Sequence, residues 1–599
     1  MDRSGIVSLL VAALAAALSS ACSNTSDVSA GGLSWQECDP DSVPAKVVQE
    51  LDGRVACAVL QVPLDHADPR KGTIDFALLR VAAAKPAERR GAIFTNPGGP
   101  GGDGIGLGLY LGRLFAIADR ATPIGSRLRA LSDRYDVIGF SPRGVGSSTK
   151  LECRLDATYA TELLPTSDGS PANLDAILHN QELDARACRR DPLTPFINTD
   201  ATARDMDLAR RAMGDERLSY LGYSYGTWLG IWYASLFPDH VDRMMIDSTV
   251  DYGEESLTGN GQAEPLQLVL DRFVIPWAAA SDAKFGLGDS DEEIRAIFGS
   301  LPVELQTVLS DRLYGLLFSQ ERAGRVVEEL GAAKGVGAIL REHPGASDTE
   351  MIAATATQRY APDAAVDEAM RRNAAAQMEG FLALAHRIPI PVAIGDDNSV
   401  NKAVTCNDGP SPTDPAFWNL QLETLRVTAP AYFHDRFELN CTDTWSGPTV
   451  TKPDVAGARR VPNILMAQDQ FDPATPLPGA LRTYALLGNA SLIYNTRSYS
   501  HGVFPSDDAC VDLAVADFFL DDEIPPRFVV ECIGRGLLDE AEAAPDARVA
   551  STRGLPPELQ AVSRPGAEGR TSDGFADADA ARAAMRDVRA LVVDAATRR

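Results

Sequence analysis

Clusters of lysine and arginine are missing from this sequence. Acidic residues outnumber basic ones by 83 to 56, which gives a formal net charge of −27 at pH 7. A nucleic-acid-binding protein needs clustered positive charge to displace counterions from phosphates, so the sequence argues against that class. The acidic balance fits either solubility alone or an affinity for cationic substrates such as free amino termini.

Motifs for metals and phosphate-containing cofactors are also missing. The sequence contains no CxxC, no HExxH and no GxxxxGKS/T, the spacings that hold zinc or cradle nucleotide phosphates. Gly99-x-Gly101-x-x-Gly104 matches the dinucleotide fingerprint in spacing, but Pro100 stiffens the turn and no acidic strand end follows at the required distance. We therefore expect no metal and no organic cofactor.

The apolar run near the N-terminus is too short for a membrane span. Ile6–Leu18 has about 13 residues, whereas a span needs about 20. Arg3 precedes this run and the small residues of LSSAC follow it, a pattern typical of an export signal. We expect residues 1–22 to be a signal peptide with a lipobox-like Cys22 that becomes lipidated; the alternative is secretion after cleavage nearby. Residues 23–34 would then form a flexible tether.

Cysteine usage favours an exported protein held by disulfides. Apart from Cys22, the chain has an even number of cysteines, as expected of a disulfide framework outside the cytoplasm. Eight cysteines allow 105 pairings, but the spacing groups them into four sequential couples and favours pairing between neighbours. These cysteines are Cys38, Cys57, Cys153, Cys188, Cys406, Cys441, Cys510 and Cys532.

Short apolar runs bounded by Gly, Pro or Asp predict buried strands, and helical stretches separate most of them. This alternation predicts an α/β fold with a mostly parallel eight-stranded sheet. We expect the core to comprise residues 35–249 and 456–535. Residues 250–455 read as a mainly helical cap, with a separate domain as the alternative, and residues 536–599 as a tail of unknown role. The predicted strands are Ala58–Pro63, Ile74–Val81, Ala92–Thr95, Val137–Phe140, Leu218–Leu221, Met244–Ile246, Ile464–Ala467 and Leu492–Asn495.

The segment GYSYG predicts a nucleophilic serine. Gly222, Ser224 and Gly226 form a G-x-S-x-G motif directly after a predicted strand and before a predicted helix. This context indicates a sharp strand-to-helix turn that exposes the serine hydroxyl, and larger side chains at the glycines would collide there. An ordinary turn serine is the alternative. We predict Ser224 as the nucleophile, with the N–H of Tyr225 at the helix start.

A nucleophilic serine needs a base and an orienting acid, which follow it in the chain in this kind of fold. His501 is the one of the seven histidines that follows a C-terminal sheet strand and a suitable acid. Asp472 lies in the DPATP turn after the preceding strand, and Asp469 is its rival. We predict a catalytic triad of Ser224, Asp472 and His501.

The oxyanion formed during acyl transfer needs backbone N–H donors. The glycine-rich loop FTNPGGPGGDG follows the third predicted strand, and backbone without side chains can approach a substrate carbonyl closely. We predict an oxyanion hole formed by Tyr225 together with Gly98 or Gly99.

The chain resembles a known family through five ordered motifs: NPGGPGG, SPRGVGSS, GYSYG, DPATP and SHGVF. Together they are similar to motifs of the secreted tripeptidyl aminopeptidases of the prolyl-aminopeptidase type, which are α/β-hydrolases. The resemblance covers about residues 35–535 and implies the same triad. It also implies hydrolysis of peptides near a free amino terminus under a cap that limits substrate length.

Two positions depart from the family pattern, and one segment suggests a substrate contact. Ser141 and Asp469 stand where the family usually has Asp and Gly, which leaves substrate preference open. AVTCNDG is similar to the family's cap edge, where Asp408 could hold the substrate ammonium; its alternative role is a turn residue beside a disulfide.

We expect a serine peptidase that releases short peptides, such as tripeptides, or single residues from free amino termini through an acyl-enzyme. Its partners would be peptide substrates, with no nucleic acid, and with membrane contact only through a lipid anchor at Cys22. The expected location is extracellular or in the cell envelope. A carboxylesterase with the same triad and an inactive surface binding protein are the alternatives.

Overall fold

The structure of the protein is a computed structural model. It describes residues 33–40, 43–160, 170–257, 261–432, 441–506, 508–521, 527–534, 536–538, 563–564, 587, 590–591 and 594. The predicted signal peptide and Cys22 lie outside these residues. Over the described ranges, no helix combines the length and apolar character needed to cross a membrane.

Within the described residues, ten strands form the central sheet; numbered along the chain, with the ranges given at the end of this paragraph, they lie in the order β1-β2-β4-β3-β6-β7-β9-β10-β11-β12. β2 pairs antiparallel with β1 and β4, and the other pairs are parallel. All eight predicted strands are present, and the α/β class is confirmed. The count of eight was too low, because β11 and β12 extend the C-terminal side; β5 and β8 pair separately. The strands are β1 Val55–Pro63, β2 Thr73–Val81, β3 Gly91–Asn96, β4 Tyr135–Phe140, β5 Cys153–Thr158, β6 Leu218–Tyr223, β7 Val241–Asp247, β8 Pro391–Ile394, β9 Ile464–Asp469, β10 Ser491–Thr496, β11 Val529–Ile533 and β12 Ser563–Arg564.

Both faces of the sheet are covered, as the uninterrupted apolar runs of its strands require. In β3, Phe94 belongs to one apolar cluster and Ile93 to the other. In β9, Met466 and Leu465 divide in the same way. Successive side chains of a strand point to opposite faces, so these strands contribute residues to the apolar cores on both sides of the sheet. This packing fixes the positions at which the loops at their carboxyl ends begin.

Helices pack on both faces of the sheet and form most of the insertion between β7 and β9. A π-helical turn, Leu270–Val274, lies between the helices Ala263–Val269 and Ile275–Ala280. The helices are α1 Ala45–Glu50, α2 Gly104–Ile117, α3 Pro123–Arg134, α4 Pro171–Arg189, α5 Thr199–Ala212, α6 Tyr225–Leu236, α7 Ala263–Val269, α8 Ile275–Ala280, α9 Asp282–Phe285, α10 Asp291–Gly299, α11 Val303–Tyr314, α12 Ala323–Glu342, α13 Asp348–Thr357, α14 Ala364–Ala385, α15 Asp396–Asp408, α16 Pro415–Thr428, α17 Leu477–Leu487 and α18 Ala509–Leu520.

The insertion has an apolar core of its own. Leu305 and Leu309 of α11, Val326 of α12 and Met370 of α14 are fully buried in one cluster. The same cluster includes Tyr499, which lies on a loop of the sheet. The inserted helices, here called the cap, therefore pack on the loops at the carboxyl edge of the sheet. The boundaries 250 and 455 stay a prediction.

Four disulfides join the cysteines as neighbour pairing predicted. Each closes a short stretch of chain, with sequence separations of 19 to 35 residues. Such a framework fits an exported protein, because reducing compartments keep thiols free. The pairs are Cys38–Cys57, Cys153–Cys188, Cys406–Cys441 and Cys510–Cys532.

Some of the described residues in the tail, which the sequence left without a role, contact the folded body. Its strand β12 pairs in parallel with β11. Further on, Leu591 packs against the apolar cluster that includes Leu107 and Leu109 of α2, and Asp594 lies 3.0 Å from the guanidinium of Arg322 in the cap.

Candidate active site

Ser224 occupies a strained turn between β6 and α6. Its φ is +55°, a left-handed conformation that is costly for a residue with a Cβ. The flanking glycines make the turn possible. A Cβ added to Gly222 would lie 2.6 Å from the carbonyl oxygen of Gly226, and one added to Gly226 would lie 2.8 Å from that of Asn96. The G-x-S-x-G segment thus has the elbow geometry expected of a nucleophile.

His501 and Asp472 are in contact at the carboxyl edge of the sheet. Nδ1 of His501 lies 3.1 Å from each carboxylate oxygen of Asp472, and both side chains are fully buried. Asp472 is held by the N–H groups of Ala474 and Thr475 and by the Thr475 hydroxyl, each at 2.9 Å. With Nδ1–H donated to Asp472, Nε2 is the nitrogen able to accept a proton. Nε2 is buried and has no hydrogen bond to any described residue.

Asp469, the rival acid, is bonded elsewhere. Its Oδ1 accepts hydrogen bonds from Asn495 at 2.7 Å and from the Ser498 hydroxyl at 2.8 Å. Burial raises the pKa of this carboxyl to about 8, and the nearby charge of Asp472 adds to the shift. No hydrogen bond links Asp469 to His501 within the described chain, so the geometry favours Asp472 as the orienting acid.

The glycine-rich loop after β3 lies against the elbow. Gly98 has φ +101°, and a Cβ added there would lie 2.8 Å from the Cβ of Ser224. Its N–H is already donated to Oδ1 of Asn96 at 3.0 Å. Of the two candidate glycines, Gly98 is therefore less suited to be the second oxyanion donor, and Gly99 stays a prediction. The N–H of Tyr225 lies in the first turn of α6, where no intrahelical acceptor exists.

The cap contacts His501 directly. The N–H of His501 donates to the carbonyl oxygen of Phe318 at 2.7 Å, and the Phe318 ring lies edge-on to the imidazole at 5.7 Å between centroids. Beside this contact, Ser319 and Ser500 form an isolated antiparallel β-bridge through their backbones. Sequence reasoning missed Phe318 because nothing in the local pattern of a helical insertion indicates which residue reaches the sheet.

A cluster of aromatic side chains makes a second contact between the cap and the site loops. Phe273, in the π-helical turn, lies 5.1 Å from Phe471 and 5.2 Å from Tyr499 between ring centroids. Phe471 precedes Asp472, and Tyr499 is two residues before His501. Turns of this type are frequent at functional sites, and here one packs on both loops that carry the proposed acid and base.

Helix α15 lies over the glycine-rich loop. A Cβ added to Gly101 would lie 2.2 Å from the carbonyl oxygen of Asp397, so only glycine fits there. Asn401, one turn further along α15, donates to the carbonyl oxygen of Pro100 at 3.2 Å. The loop that carries the proposed oxyanion donor is thus enclosed between the elbow and this helix.

Asp408, at the end of α15, is bonded beneath the elbow helix. One oxygen accepts the N–H of Thr199 at 2.8 Å. The other accepts the Thr199 hydroxyl and Nε1 of Trp228, the latter at 3.2 Å. The side chain is only 1% exposed, and burial raises its pKa to about 7. These contacts tie α15 to α5 and α6; binding of a substrate ammonium by Asp408 stays a prediction.

Two family models match the chain. Residues 97–276 match a family described as "alpha/beta hydrolase fold", and residues 429–531 match one described as "TAP-like protein". The first span contains Ser224, and the second contains Asp472 and His501. Together with the sheet, these matches show that the chain has an α/β-hydrolase fold.

Within that class the chain is a serine hydrolase similar to tripeptidyl aminopeptidases. The tripeptidyl aminopeptidase of Streptomyces lividans is 28% identical over 83% of this chain and 86% of its own length. The serine protease Hip1 of Mycobacterium bovis is 25% identical over 82% and 90%. Carboxylesterase B of Mycobacterium tuberculosis is 28% identical over 78% and 85%. A solved proline iminopeptidase of Mycobacterium smegmatis aligns with 77% of this chain and 97% of its own at 15% identity and a TM-score of 0.29, too low to support an inference.

Proposed function

We propose that the protein is a serine peptidase that releases short peptides, tripeptides among them, from the free amino termini of its substrates. The observation that carries this proposal is the contact of His501 with Asp472 in a chain similar to tripeptidyl aminopeptidases. The reaction is acyl transfer in two steps. The same proposal includes Ser224 as the nucleophile.

In the first step, the Ser224 hydroxyl attacks the scissile carbonyl carbon while Nε2 of His501 takes its proton. Asp472 keeps the imidazole in the tautomer with hydrogen on Nδ1 and stabilises the imidazolium that forms. His501 then gives the proton to the leaving amine as the C–N bond breaks. A water molecule, deprotonated by His501, releases the peptide acid and restores the serine.

The carbonyl oxygen becomes an anion during both steps and needs donors that are already in place. In this proposal the N–H groups of Tyr225 and Gly99 supply them. Asn96 supports the role of Gly99 indirectly: by accepting the N–H of Gly98, it fixes the loop and leaves the next N–H for the substrate.

A second function is favoured by one observation, the similarity to carboxylesterase B. An esterase would use the same three residues on a better leaving group. The two functions differ in whether His501 protonates a leaving amine productively, so they are separated by substrate and not by the triad.

We also propose that Cys22 is lipidated after export and that the protein is held at the cell envelope by this lipid. The proposal rests on the LSSAC segment after a short apolar run. Mass spectrometry of the mature N-terminus tests it: a diacylated Cys22 is expected, and an unmodified N-terminus at a nearby residue contradicts it.

The peptidase proposal is tested with chromogenic amides and short acyl esters. The amides are mono-, di- and tripeptidyl compounds, each with a free and with a blocked amino terminus. Cleavage of free-terminus tripeptidyl amides, lost by about 10⁶-fold in Ser224→Ala, is expected. Ser235→Ala, on the same helix, is the matched control and should retain activity. Hydrolysis of esters alone would favour the esterase, and activity surviving in Ser224→Ala would refute the nucleophile.

A further inference from the structure

Two consecutive residues at the end of β7, Asp247 and Ser248, touch every segment that carries a proposed triad residue. The carbonyl oxygen of Asp247 accepts the N–H of Ser224 at 3.0 Å. The N–H of Ser248 donates to the carbonyl oxygen of Ala467 on β9, the strand that leads to Asp472, at 2.9 Å. The backbone of this pair therefore joins the elbow to the acid strand.

The side chains of the same pair hold the loop that carries the base. Gly502 donates its N–H to the Ser248 hydroxyl at 2.7 Å. Val503 and Phe504 donate theirs to the two oxygens of Asp247 at 2.9 and 2.8 Å. Three successive N–H groups directly after His501 thus end on Asp247 and Ser248.

This arrangement is costly to maintain. Both side chains are fully buried, and Ser248 has φ +57°, a strained conformation for serine. Burial raises the pKa of Asp247 to about 7, opposed by the two N–H donors and by the charge of His501, while Asp472 raises it further. A buried apolar residue in place of Asp247 would avoid the cost of burying a carboxyl group, so this side chain must supply something that packing alone does not.

Asp469 offers a comparison within the same site. It is equally buried and also lies near Asp472, yet its hydrogen bonds come from the side chains of Asn495 and Ser498. Asp247 instead receives backbone donors adjacent to His501. Asp247 thus binds the backbone of the loop directly after His501, whereas Asp469 reaches the same loop only through the Ser498 side chain, three residues before His501.

We propose that Asp247, assisted by Ser248, is a positioning residue that aligns His501 with Ser224 by clamping the histidine loop, the nucleophile elbow and the acid strand to one point. The role rests on the proposed triad. It acts on the geometry of proton transfer and not on binding of the peptide, and misplacement by about 1 Å is enough to cost roughly 10²-fold in rate.

The test is the rate at which a fluorophosphonate labels Ser224, measured beside kcat and KM for a cleaved amide. Asp247→Asn keeps the shape but replaces one acceptor oxygen with an NH₂ group that faces an N–H donor. We expect about 10²-fold slower labelling and about 10²-fold lower kcat, with KM within about threefold. Asp469→Asn is the matched control and should lose less than about tenfold in either rate.

Complete labelling at long times separates a misplaced histidine from irreversible unfolding, because a fraction that cannot refold would never label. If Asp247→Asn fails to fold, Ser248→Gly carries the test: it removes one acceptor and accepts the positive φ, and about tenfold slower labelling is expected. Unchanged rates in the folded variant overturn the positioning role. If the wild-type protein does not label at Ser224, the proposed triad is wrong and this role with it.

Discussion

The carboxyl edge of the sheet and the cap contribute to the site in different ways. At the sheet edge, each buried carboxylate accepts several hydrogen bonds, as Asp472 does from Ala474 and Thr475. The cap has its own apolar core and reaches the site through a few contacts, such as Phe318 on His501. This difference suggests that the sheet edge determines the chemistry and that the cap determines which substrates reach it.

In that case, substitutions at the sheet edge should lower the turnover of every substrate by the same factor, whereas the activity lost through substitutions in the cap should depend on the substrate. Each substitution below is therefore measured on a peptidyl amide and on a small acyl ester. Equal losses on both substrates indicate chemistry, and unequal losses indicate access or binding.

The largest effect is expected from Asp472→Asn. The amide cannot hold His501 in the tautomer with hydrogen on Nδ1 or stabilise its charged form, so kcat should fall by about 10⁴-fold on both substrates. The matched variant is Asp469→Asn, three residues earlier and equally buried. A similar loss in both variants would mean that the assignment of the acid from the contact with His501 is wrong.

Gly98→Ala tests the glycine-rich loop. The new Cβ would meet the Tyr223 carbonyl oxygen at 2.7 Å and the Cβ of Ser224 at 2.8 Å, so the loop must move away from the elbow. We expect roughly a 10²-fold loss in kcat on both substrates. Gly214→Ala is the control, since Gly214 also has positive φ but nothing within 4 Å of an added Cβ. If both variants lose activity equally, backbone strain and not the oxyanion loop is responsible.

Phe318→Ala tests the cap. If the cap selects substrates, removing this ring from the cap side of the site should affect the larger peptidyl amide more than the small ester, and the backbone bond to His501 survives the substitution. We expect about a tenfold loss in kcat/KM on the peptidyl amide and a smaller loss on the ester, a difference of about 1.4 kcal/mol at most. Phe417→Ala, exposed on α16, is the control. A larger loss on the ester than on the amide would reverse the assignment of roles to sheet and cap.

Much of the fold could be predicted because strands buried on both faces appear in the sequence as uninterrupted apolar runs. All eight such runs are strands in the structure. β11 was missed because Glu531 and Cys532 interrupt its apolar pattern, and β12 has only two residues. The separate pair β5 and β8 joins residues more than 200 positions apart in the chain, which no local pattern could indicate.

Within the site, residues with local signals were found and residues defined by distant contacts were not. The elbow and the DPATP turn have local signatures. Asp247 is an acid at the end of the apolar run MMID, a signal that could have drawn attention, but its bonds to the histidine loop span about 256 residues. The choice between Gly98 and Gly99 likewise depended on the side chain of Asn96, whose direction no spacing rule reveals.

The smallest effect on activity is expected from Asp408→Asn, in the cap far along the chain from the triad. Its oxygens bond only to Thr199 and Trp228 among the described residues, so kcat/KM should change by less than about threefold, under 1 kcal/mol. A loss confined to substrates with a free amino terminus would instead assign the ammonium site to Asp408, and the blocked substrates serve as the internal control.

The role of Asp408 should be clearer from the free energy of unfolding than from activity. Its folded pKa is about 7, above the ordinary value of about 3.9 for the unfolded chain. The folded state therefore binds more protons between these two values, and this carboxyl makes the wild type less stable as pH rises through that window. Asparagine does not titrate, so from pH 5 to pH 7 the unfolding free energy of the wild type should fall relative to that of Asp408→Asn. Because Asp247 and Asp469 titrate in both proteins, a difference that stays constant with pH would mean that Asp408 is ionised throughout, held by its three donors against the effect of burial.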